Sequence, residues 1–306
     1  MKKLLPPLFL LANIIVFLCG CHDKVPLEVT PDQPAEDLEV ASLQPSVETS
    51  LSKSAVDTTG VLNTEQSKYR ATMFLSGVKY DVGTTRQTVS YSSVTFSDKN
   101  LPVDLDGREL GFRGIDLGRV QINGMDMIQT QRFIHLFDLP IFDGRDTAVG
   151  PAYVLANRNG KDAKDFNFRA NSQFEWNVSG KIPIDPFRVP VQTPDEITII
   201  SPKSTSIISK NDDLHVQWTG KAESFRLIIS GLRGSDIQPI LQINLKKSDG
   251  NITIPAKILA LLPTNTYRTF VFSFISSKTV ESQVSNFSDE IFVAASSIHD
   301  VVLTVQ

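Results

Sequence analysis

The residues able to do chemistry are few and scattered. Cys19 and Cys21 are the only thiols. Histidines stand at 22, 135, 215 and 299. His135 and Asp138 lie in Phe133-Ile134-His135-Leu136-Phe137-Asp138, a pairing that would suit a metal ligand or a base steadied by a carboxylate. A lone histidine in an apolar strand is more simply a packed or rim residue, and that is expected here. His215 falls on the polar face of its strand and is expected at the surface. Asp104-Leu105-Asp106-Gly107-Arg108-Glu109 alternates acids around a glycine as a calcium loop does. The fifth position of such a loop needs an oxygen ligand, and here it is Arg108, so a charged turn is expected instead. Asp143-Gly144-Arg145-Asp146 reads as another turn, with a local ion pair. Phe174 and Trp176 share one strand face; exposed, they would stack on a sugar, and buried, they would fill a core, which is the expected outcome. No HExxH, GxSxG, P-loop or GxGxxG pattern occurs, and no catalytic residue, metal or cofactor is expected. The sequons at Asn177, Asn251 and Asn286 carry meaning only in a cell that glycosylates them.

The elements that must hold these residues are strands. The chain has 306 residues, 41% hydrophobic and 21% charged, which suits about two domains. Its net charge of −4 gives no electrostatic grip on nucleic acid. With two cysteines, a disulfide scaffold and a multi-cysteine metal site are excluded. From Tyr69 onward, short runs rich in Val, Ile, Thr, Tyr and Phe alternate with turn dipeptides: Asp106-Gly107, Asn123-Gly124, Asp143-Gly144 and Asn159-Gly160. No 3.6-residue apolar period is sustained over ten residues, so the folded part is expected to be all-β.

The first twenty residues read as an address. Lys2 and Lys3 precede an apolar run from Leu4 to Leu18. About 15 residues at 1.5 Å rise cover about 22 Å, short of a ~30 Å hydrocarbon core, so a signal peptide fits better than a membrane span. The run ends Leu18-Cys19-Gly20-Cys21, which resembles the lipobox of bacterial lipoproteins. That resemblance implies lipidation of the Cys21 thiol, cleavage between Gly20 and Cys21, and a mature chain that begins at Cys21. Cys19 leaves with the signal, so no free thiol remains. His22 follows the lipidated residue; in Gram-negative lipoproteins an aspartate there commonly retains the protein in the inner membrane. Its absence implies the cell outer membrane.

Residues 21–66 are expected to be a disordered tether. They hold nine acids against Lys24 and Lys53, four prolines and no aromatic residue. Such a segment buries too little apolar surface to offset its ordering entropy. Residues 67–185 are expected to form a β-sandwich-like domain. Pro186, Pro190 and Pro194 mark 186–195 as a stiff joint. Residues 196–306 then carry a second set of strands at sandwich spacing. Here Trp218 and Leu262-Pro263-Thr264-Asn265-Thr266-Tyr267 resemble the second-strand tryptophan and the L-P-x-x-x-Y corner of fibronectin type III modules. That resemblance implies an immunoglobulin-like sandwich with Thr269 and Val271 facing the core. The side-chain chemistry argues the reverse: Phe270, Phe272 and Phe274 form the more apolar face and should win the interior. The whole layout resembles uncharacterised Gram-negative lipoproteins with tandem Ig-like domains, from which no activity follows.

The expectation is a lipid-anchored, non-enzymatic binding or structural module of the cell envelope, held to the membrane through Cys21 and making no contact with nucleic acid. The alternatives are an accessory glycan- or peptide-binding protein of a nutrient-uptake system, or a hydrolase with an acid pair in the first domain. A hydrolase would show two carboxylates across a cleft; a glycan binder would show an exposed aromatic strip.

Overall fold

The alternating runs become strands in the structure, a computed structural model that describes residues 38–43, 69–82, 85–105, 108–135, 146–158, 160, 163–222, 224–234, 236–245, 250–283 and 290–306. The first is β1 (Leu38–Ser42). After it come β2 (Ala71–Val82), β3 (Thr85–Leu105), β4 (Arg108–Gly114), β5 (Val120–Ile122), β6 (Met125–Asp126), β7 (Ile128–His135), β8 (Asp146–Arg158), β9 (Gln173–Val178) and β10 (Phe187–Gln192). The rest of the chain forms β11 (Thr198–Ser201), β12 (Ile207–Ile208), β13 (Leu214–Thr219), β14 (Phe225–Arg233), β15 (Asp236–Leu245), β16 (Asn251–Ile254), the single-turn helix α1 (Ala256–Leu259), β17 (Thr269–Gln283) and β18 (Glu290–Val305). The described chain is all-β apart from α1.

Eleven of these strands join in one sheet, in the order β1-β15-β14-β17-β18-β2-β3-β8-β7, with β12 added on β18 and β4 on β3. Two small sheets, β10-β9-β5-β6 and β11-β13-β16, cover separate parts of one face. Under the first lies a core of Met73, Leu75, Phe96, Tyr153, Phe174, Trp176 and their neighbours. Under the second lies a core of Leu227, Ile229, Ile243, Trp218, Phe270, Phe272 and Phe274. Each core is therefore sandwich-like, and the two share a sheet.

β18 makes the sharing possible. Ile291, Val293 and Ala295 face the first core; Val301, Leu303 and Val305, on the same face, enter the second. One edge of β18 pairs antiparallel with β17 along its length. The other edge pairs parallel with β2 from Ile291 to Asp300, then with β12 at Thr304 and Val305. Residues 36–306 accordingly form one compact unit.

Between the cores the sheet turns small and polar. Ser276, Ser297, Gly77 and Ser90 are register partners in one row across β17, β18, β2 and β3. The row leaves room for two crossing segments. Phe168 lays its ring on Gly77, where an added Cβ would sit 2.4 Å from a ring carbon. The Phe168 amide donates to Ser90 Oγ at 2.9 Å, and the Ile197 amide donates to Ser297 Oγ at 3.3 Å. Residues 166–169 alternate like a strand in sequence but form none. Phe166 is wholly buried and Phe168 caps the glycine, so both aromatics serve as plugs.

The Asn123-Gly124 pair adopts φ of 48° and 79°, the left-handed pair that a two-residue hairpin between β5 and β6 requires. Within the segment expected as a tether, residues 38–42 pair antiparallel with β15, and Leu38 and Val40 pack against the second core. Composition averages over such a strand; two apolar residues spaced two apart and an open sheet edge suffice to dock it.

Candidate functional site at the junction of the cores

The structure assembles titratable side chains at the point where β18 passes from one core to the other. His299 is wholly buried there. Its Nδ1 accepts a hydrogen bond from the Ile199 amide at 2.8 Å, which ties the start of β11 to the shared strand. That bond assigns the remaining proton to Nε2, whose nearest ionic neighbour is Asp81 Oδ2 at 3.9 Å. Nε2 is buried without a hydrogen-bond partner. On the same face, Arg86 Nε meets Asp81 Oδ1 at 3.0 Å, and Lys79, the register partner of His299, pairs with Glu196. Burial, reinforced by the Arg86 charge, pushes His299 down to about 4, against the pull of Asp81. Burial and Arg86 also lower Lys79.

Asp300 points to the opposite face of the sheet. Its register partners are Tyr80 on β2 and Ser273 on β17. Oδ1 is buried without a partner, and burial pushes the carboxyl up to about 6 while Ser273 opposes the shift by hydrogen bonding.

The geometry decides what His299 can do. A general base must offer a free imidazole nitrogen to solvent or substrate. Here Nδ1 is consumed by a backbone amide, and Nε2 carries the proton and is sealed from water. The group acts as a latch between β18 and β11. Asp81 is paired with Arg86, and the hydroxyl of Ser297, two residues before His299, accepts from the Ile197 amide.

The first core carries a second buried network. Tyr153 accepts from the Leu117 amide at 2.8 Å and donates to Asp116 at 2.9 Å. Lys181, then the Gly118 amide, hold Asp116 below the usual carboxylate range, and burial pushes Tyr153 up to about 12. This phenol stays protonated and fixes the loop before β5. On the outer face of β10-β9-β5 lies a shallow cleft of about 320 Å³ bordered by Arg119, Gln121, Asn177, Ser179, Phe187 and Arg188. Both arginines face acids: Arg119 grips Asp126 through two bonds of 2.6 and 2.9 Å, and Arg188 lies 3.9 Å from Glu175.

The residues singled out from the sequence are not brought together. Gly20, Cys21, His22 and Asp138 lie outside the described residues, as do Asp106, Gly107 and residues 143–145. The backbone of Asp104 pairs with Glu109 and that of Leu105 with Arg108. His135 ends β7 opposite Asp146 in the backbone ladder. His215 is exposed, with Nδ1 2.9 Å from the Thr253 hydroxyl. Phe174 and Trp176 are interior; the indole donates to Ser92 at 3.1 Å, so neither ring is available to a sugar. Among the described residues, no three His, Cys, Asp or Glu side chains converge as a metal site would require. His299, Asp300, Asp81, Lys79 and Glu196 were not found from sequence. No local motif joins them, because 219 positions separate Asp81 from Asp300.

Comparison with known proteins finds no family model that matches the chain and no curated protein that matches it. Among the described residues, no helix is long and apolar enough to cross a membrane.

Proposed function

We propose that the chain is an outer-membrane lipoprotein of a Gram-negative bacterium, anchored by acyl chains on Cys21, whose β-rich body serves as a non-catalytic binding or structural module. The observation that carries the anchor is the order Lys2-Lys3, apolar run, Leu18-Cys19-Gly20-Cys21. Two or three acyl chains hold a protein firmly where one does not, because each buried methylene contributes about 0.8 kcal/mol. The body supports a mechanical or docking role through its continuous sheet and its histidine, which is spent on architecture. The test is growth with a labelled fatty acid followed by fractionation. Wild-type protein is expected to take up label and sediment with membranes. Cys21→Ser is expected to take up none, because serine lacks the thiol that accepts the diacylglyceryl group. Label on the serine variant, or none on wild type, overturns the assignment.

A second reading, the accessory glycan binder, is favoured by the outer face of β10-β9-β5. Gln121, Asn177 and Arg188 form one row of register partners there, and the two cations are balanced by Asp126 and Glu175. A planar, charge-balanced row suits a neutral polyhydroxylated ligand better than an anion. A neutral oligosaccharide should then shift the side-chain amide resonances of Gln121 and Asn177. No shift at millimolar ligand removes this reading and leaves the anchored module intact.

A further inference from the structure

We propose that the outer edge of β15 is a strand-acceptor site, and that its partner besides the resident β1 is the Leu38–Ser42 segment of a second copy of this chain. The ladder pairs Leu38 with Leu245, Val40 with Ile243 and Ser42 with Leu241, and the Leu43 amide donates to Ile240 O at 2.8 Å. β1 is five residues long, while β15 offers ten. Leu38 and Val40 pack on the second core and Leu43, just past the strand, on Val78, Ile228, Ile275 and Ile298, each of the three only partly buried, and among the described residues the side-chain bond across the ladder, Asn244 to Glu39, is long at 3.4 Å. Main-chain bonds give such a strand its affinity, and alternate side chains give it specificity. β1 is thus a modestly held ligand, joined to the rest of the fold through the chain between Leu43 and Tyr69.

The chemistry of the occupant is written in the ladder. Leu38 and Val40, two residues apart, turn the same way and meet Leu245 and Ile243. A strand with apolar-x-apolar spacing fits this edge, and the same segment of another copy meets that description without adjustment. Copies anchored through Cys21 would share one plane and hold this segment at one height, a step that rests on the lipoprotein reading. Exchange of a short terminal strand between identical chains is a low-cost route to a symmetric pair.

The test uses full-length protein in detergent and a fluorescent peptide of residues 36–44. Val40→Asp places a charge where β1 meets the core and should unseat the resident strand. This variant is expected to bind the peptide on the order of 100-fold more tightly than wild type, whose own strand competes at a millimolar effective concentration. In the Leu43–Ile240 register the Gln242 amide faces β1, so adding Gln242→Pro to the variant removes a donor to the peptide and should abolish binding. A cooperative melt of each variant shows that it has folded; should Val40→Asp fail that check, Leu38→Asp takes its place. No binding by a folded unseated variant, equal binding by wild type, or binding that survives Gln242→Pro overturns the proposal. The assay reads the edge whether or not Cys21 is acylated, so its failure and the failure of the anchor are distinct results.

Discussion

Asp300→Asn is expected to turn a stability profile that is nearly flat between pH 7 and pH 4 into one that falls with acid, by about 2–3 kcal/mol relative to wild type. The flatness comes from two opposed effects on neighbouring residues. His299 is depressed from 6.5 to about 4, so the stability it contributes is present above 6.5 and is lost as pH falls toward 4. Asp300 is raised from 3.8 to about 6, so the stability it contributes is present below 3.8 and is lost as pH rises through 6. Over the shared window one group loses what the other gains, and each tenfold change in proton affinity is worth about 1.4 kcal/mol. Asparagine removes the carboxyl's half and leaves the histidine's. The reciprocal change, His299→Gln, keeps an acceptor for the Ile199 amide and should make the protein gain stability on acidification by a similar amount. Urea unfolding at pH 7, 6, 5 and 4 reads both as differences from wild type, which cancels the other carboxylates. Parallel curves for all three proteins would mean that neither group feels the junction as described.

Phe272→Ala is expected to cost about 3–5 kcal/mol. The side chain is wholly buried, with Ile229 and Val301 as its register partners in β14 and β18. Its removal leaves a hole at the centre of the second core, with Phe270 and Phe274 two residues away on either side. Tyr267→Phe keeps the ring against Gly231 and Phe270 and should cost at most about 0.5–1.5 kcal/mol, the range for loss of one hydroxyl's hydrogen bonding. Val280→Ala, at a position 45% exposed on the same strand, should stay within about 0.5 kcal/mol. Guanidinium unfolding of the three variants ranks them. If Tyr267→Phe is the most damaging, the corner rather than the phenylalanine face organises this region.

That contest shows what the sequence made legible. Period-two alternation identified Phe270, Phe272 and Phe274 as an inward face because burial area favours three rings over Thr269 and Ser273. The strict fibronectin register would have turned them outward. The same rule read Phe174 and Trp176 as core. It failed at β18, where the apolar runs 291–293 and 301–305 look like separate strands. The residues between them, Ala294 to Asp300, are small or polar apart from Ile298, which in sequence resembles a loop. In the structure they are the middle of one sixteen-residue strand, polar because the sheet there lies between two cores and is crossed by Phe168 and Ile197. The junction residues were illegible for the same reason. Lys79, Asp81, Glu196 and His299 acquire their meaning only from the parallel pairing of β2 with β18, which no local pattern announces. β1 escaped notice because a five-residue strand does not change the composition of the acidic stretch around it.

The shared strand also sets the order in which the molecule can be made. Ala71 pairs with Ile291, so strands 220 positions apart must meet before the first core is closed. As the chain is synthesised, β2, β3, β8 and β9 appear early, yet Ile291, Val293 and Ala295 come with the last sixteen-residue strand. Until then one edge of β2 stays unpaired and the first core lacks a wall. An N-terminal half that looks autonomous in sequence must therefore wait for β18, which completes both cores. Closing so long a loop costs entropy before any contact repays it, which makes folding slow and exposes an open strand edge to other chains in the interval.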